Sequence, residues 1–92
     1  NQMLIIDNEF VNARIEEGVF VTEYKKNAFI DLDEAKDIIQ WRNNSLPKSG
    51  IKILVIHCSS VIITPEAKKY FVNEGSQNLS KFALVSPSYF SS

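Results

Sequence analysis

The stretch Ile51–Gly75, IKILVIHCSSVIITPEAKKYFVNEG, decides the fold class. Ile51, Ile53, Leu54, Val55 and Ile56 form a near-continuous apolar run rich in β-branched residues. Such a run suits a strand covered on both faces, as in a parallel sheet with helices above and below. His57-Cys58-Ser59-Ser60 then reads as strand end and loop, and Val61-Ile62-Ile63 as a second apolar patch too short to assign. Thr64-Pro65-Glu66 is a helix start. Thr64 can accept an amide hydrogen bond as N-cap, Pro65 suits the first helical position, and Glu66 complements the positive end of the helix dipole. Ala67, Tyr70 and Phe71 give the helix one apolar stripe, with Lys68, Lys69, Asn73 and Glu74 opposite. Gly75 is the natural left-handed residue to end it.

Upstream, a second helix precedes the central strand. Asp31 is its expected N-cap, and Glu34 completes a capping box. Leu32, Ala35, Ile38, Ile39, Arg42 and Leu46 fall along one stripe, with Trp41 at the stripe's edge. Pro47 and Gly50 break the helix before the strand. Before it, Val11, Ala13 and Ile15 alternate with Asn12, Arg14 and Glu16, the period of a half-buried strand. Glu17-Gly18 marks a tight turn with the glycine left-handed, and Val19–Tyr24 follows as the second arm of an antiparallel hairpin. Met3–Ile6 reads as an edge strand. Downstream, Lys81–Val85 reads as a last strand, and Ser86-Pro87-Ser88 as the start of another helix. The expected fold is therefore α/β: a mixed sheet with an N-terminal antiparallel hairpin followed by β-α-β-α-β order and right-handed crossovers. The 92 residues make one domain, read here as lacking a C-terminal portion because the last helix begins and does not continue.

Composition narrows the function classes. The net charge is −1 with charges interspersed, so there is no basic patch for phosphate neutralisation and no expected nucleic-acid partner. No apolar run approaches the length of a membrane span. A single cysteine allows no internal disulfide and fits a reducing cytoplasmic setting. No glycine-rich phosphate loop occurs, and no cofactor is called for. One histidine and one cysteine, adjacent at a strand end, point to opposite faces, so His57 is badly placed to activate Cys58. They also make no metal-ligand spacing. Trp41 reads equally as a core-edge residue or an interface anchor, since tryptophan is enriched at binding hot spots.

Gly18–Tyr24, Ile30–Lys36 and Thr64–Phe71, in this order of elements, resemble the STAS/SpoIIAA-like domains of bacterial anti-sigma-factor antagonists and of sulfate-transporter cytoplasmic regions. The chain also looks like the small STAS-like proteins of Bacteroidetes-type bacteria. The resemblance spans roughly residues 10 to 86. In the antagonist family a serine or threonine at the start of the helix after the central strand is phosphorylated, and the charge switches partner binding. The matching positions here are Ile63-Thr64-Pro65-Glu66-Ala67, where Thr64 is the hydroxyl within the motif's reach and Ser59 and Ser60 come earlier. Glu66 would set a permanent negative charge where the family places phosphate. The resemblance implies a non-enzymatic regulatory module that binds a protein partner through Ser59, Ser60, Thr64 and Glu66. The alternative is a domain that binds a small or lipid-like ligand between the first helix and the sheet. The open edge of the hairpin permits a homodimer by strand pairing.

Overall fold

In the computed structural model, which describes residues 2–46, 50–57, 60–77 and 79–85, the run Ile51–Ile56 is a strand (β5) at the centre of the parallel half of a five-stranded sheet. Gln2–Asp7 (β1), Val11–Glu16 (β2) and Val19–Tyr24 (β3) form an antiparallel meander, β3 pairs in parallel with β5, and β5 pairs in parallel with Leu79–Val85 (β7). The sheet order is β1-β2-β3-β5-β7. Phe29–Ile30 (β4) and Ile62–Ile63 (β6) make a separate two-stranded parallel sheet. Helix α1 covers Leu32–Ser45 and α2 covers Pro65–Asn73. The expected mixed α/β architecture is present, and the N-terminal hairpin gains a third arm in β1. The β2–β3 turn places both Glu17 (φ 51) and Gly18 (φ 79) in the left-handed region, where the sequence pointed to the glycine alone. Two consecutive left-handed residues give the primed turn whose twist matches the strands it joins.

Register divides the sheet into two unlike faces. Val11, Ala13 and Ile15 lie opposite Tyr24, Thr22 and Phe20, and Phe20 and Thr22 lie beside Ile53 and Val55. These side chains share a face, and with Ala35 and Ile38 of α1 and Ala67 of α2 they build the core. Both helices therefore lie on one side. Each crossover, β3-α1-β5 and β5-α2-β7, advances the sheet in the same direction, and right-handed connections then deliver both helices to the same face. This corrects the expectation that β5 is covered above and below. Among the described residues no helix covers the other face, where Leu54 and Ile56 are half-buried and Arg14 occupies the middle of β2. The Arg14 guanidinium bonds Glu16 (2.6 Å), Glu23 (2.9 Å) and Asn12 (2.9 Å), and the two glutamates, Glu16 foremost, hold it further toward the protonated form.

The far ends of the two helices are latched by Arg42, which is only 2% exposed. Its guanidinium donates to the carbonyl of Gly75 at 2.7 Å. No carboxylate among the described residues pairs with it, and burial lowers its pKa. Its countercharge is the carbonyl end of α2, the negative pole of that helix. Gly75 does not take the left-handed conformation expected of it. It is buried, and a Cβ at this position would run into the Phe71 carbonyl oxygen. The glycine is required by close approach rather than by φ. Among the described residues no helix is long and apolar enough to cross a membrane.

Candidate functional site

The two helix starts form one structure. Phe29 lies opposite Ile62 and Ile30 opposite Ile63 in the β4–β6 pair. The Ile62 amide donates to the Ala28 carbonyl (2.9 Å) and the Thr64 amide to the Ile30 carbonyl (3.0 Å). The ladder thus carries the chain from a strand pair into a pair of N-caps, Asp31 beside Thr64. The units Phe29-Ile30-Asp31 and Ile62-Ile63-Thr64, 33 residues apart, run side by side from strand through cap to helix.

The caps close on each other. The Thr64 hydroxyl donates to the Asp31 carboxylate at 2.9 Å and accepts from the Ala67 amide at 3.2 Å. Asp31 also accepts from the Leu32 amide at 2.8 Å, and its own amide donates to Glu34 at 2.9 Å, which completes the expected capping box. Two helix N-termini, each worth roughly half a positive charge, are thereby set next to one carboxylate that serves both. The Thr64 hydroxyl is engaged as donor and as acceptor.

The remaining predicted positions distribute as follows. Ser60 joins the site: its hydroxyl accepts from the amide of Asn27 at 3.0 Å, tying the loop after β5 to the left-handed turn (φ 65) that leads into β4. Glu66 is exposed in the first turn of α2. Ser59, Cys58 and the expected terminal helix beginning at Ser86 lie outside the described residues. Trp41 is half-buried and packed against the core, nine residues along α1 from its start and so about 14 Å from the caps. It does not belong to this site. His57 follows directly after β5, and its amide donates to the Val85 carbonyl. Among the described residues no group of three or more metal-ligating side chains could hold a metal ion.

The sequence reading missed Asp31, Phe29 and Ile62 as members of this site. Phe29 and Ile62 are 57% and 58% exposed although both sit in strands. Ile30 is fully buried, and successive strand side chains point to opposite faces, which turns Phe29 outward. Between α1 and the sheet, where the alternative reading sets a ligand, lie the core side chains Val11, Phe20, Ile30 and Ile38. A depression of about 840 Å³ lies instead toward β1, lined by Leu4, Asn12, Arg14, Glu23 and Lys25 among others. Of its three lining cations two are paired, Arg14 with two glutamates and Lys25 with Asp7 at 2.6 Å, and Lys26 is the third.

A family model, a domain of unknown function (DUF7793), matches residues 13–92, and the chain belongs to that family. No curated protein and no solved structure matches the chain.

Proposed function

We propose that this chain, a member of that family, is a non-enzymatic regulatory module of STAS-like fold that works in the bacterial cytoplasm by binding a protein partner through the joined helix starts. One observation carries the reading. Phe29 and Ile62 are register partners, stand more than half exposed, and are ringed in sequence by the polar groups of Ser60, Asp31, Thr64 and Glu66. An apolar pair inside a polar rim is the anatomy of a binding hot spot. The cap-to-cap hydrogen bond holds this surface in one shape before any partner arrives, which lowers the ordering cost of association. The polar groups serve as rim and frame, so the surface works by recognition and not by turnover.

A photo-crosslinking residue placed at Ile62 in the native host tests this, with a second placed at exposed Gln40 on α1. A single discrete adduct at position 62, lost on Phe29→Ala and absent at position 40, is the expected result. No discrete adduct at 62, or equal labelling at both positions, refutes the surface.

A further inference from the structure

We draw no further inference here: the strongest candidate, the outer edge of β7, unpaired among the described residues, with Phe82 and Leu84 exposed on the helix side and Val85 on the other, carries nothing because the structure does not show what covers it.

Discussion

Removing the side-chain oxygens of Asp31 and Thr64, singly and together, measures whether the two helix starts are one structure. Thr64→Ala deletes two things: the cap bond from the Ala67 amide and the bond to Asp31. The first is worth about 1 kcal/mol, the usual cost of losing a threonine N-cap. The second is a charge-assisted bond at a solvated position, worth about 1 kcal/mol net. Asp31→Ala loses its own cap bond and the same shared bond, again about 2 kcal/mol in all. The Glu34 carboxylate still accepts from the backbone amide of residue 31, so the capping box is not wholly dismantled. The double variant loses the shared bond only once. It should fall short of wild type by about 3 kcal/mol rather than 4, a coupling of about 1 kcal/mol.

Urea unfolding followed by the fluorescence of Trp41, the single tryptophan, is the assay. With a slope near 1 kcal/mol per molar for so small a domain, each single change moves the midpoint by about 2 M and the pair by about 3 M. Thr64→Ser keeps the hydroxyl and should restore most of the loss. If the two single effects add to within about 0.3 kcal/mol, the caps are independent and the shared site is not a unit.

Arg42, Gly75 and Tyr24 each give a further test. Arg42→Met keeps most of the buried stem but orphans the Gly75 carbonyl, and should cost about 1–3 kcal/mol by urea unfolding; a variant as stable as wild type would show that the buried charge costs as much as its bond returns. Gly75→Ala should destabilise by about 1–3 kcal/mol, because the new methyl meets the rigid Phe71 backbone, and a gain in stability would mean that the helix end yields freely. Tyr24 has its phenol pKa raised by burial. Its contribution is complete below the ordinary tyrosine value of about 10 and is lost as pH rises above it, since the unfolded chain then releases the proton first. Tyr24→Phe should flatten that part of an alkaline stability profile, and an unchanged slope would argue that other groups set it.

The fold was legible wherever local chemistry and global packing agree. The Asp31–Glu34 capping box, the Thr64-Pro65 helix start and the alternation of Val11, Ala13 and Ile15 each appear as the residues prescribe. The coverage of β5 was not legible, because an apolar run of its length fits a strand with either one or two covered faces. The difference lies in the direction in which successive crossovers advance, which is a property of the whole sheet. Gly75 was misread for a similar reason. A glycine after a helix signals a left-handed cap on average, whereas here the deciding fact is the nearness of the Phe71 backbone. Arg42 could be placed on the buried stripe of α1, but its shortest hydrogen bond goes to a carbonyl 33 residues away, beside longer ones to the neighbouring Asn43 side chain, and no local pattern points to that carbonyl. The pairing of β4 with β6 was equally out of reach. Each strand has two residues, too few to display a period, and each is defined only by the other.

The same joint bears on the phosphorylation that the STAS-like resemblance implies at Thr64. A phosphoryl group there would carry about 1.5 to 2 negative charges, in place of a hydroxyl that now donates a hydrogen bond to Asp31. Two unit charges 4 Å apart near a protein surface repel by about 4 kcal/mol at an effective dielectric of 20. Even a quarter of that matches the 0.3–1 kcal/mol or so that a helix N-terminus returns to an anion, and the hydrogen bond to Asp31 is lost as well. Repulsion therefore outweighs the dipole, and charge at Thr64 should open the joint rather than tighten it. Thr64→Glu should be less stable than Thr64→Ala. Adding Asp31→Asn should recover part of the difference, because asparagine still caps α1 but carries no charge. A Thr64→Glu variant at least as stable as the alanine variant, in the presence of Asp31, would overturn this ordering. It would mean that the helix start accepts a second anion, as a phosphate-stabilised switch requires.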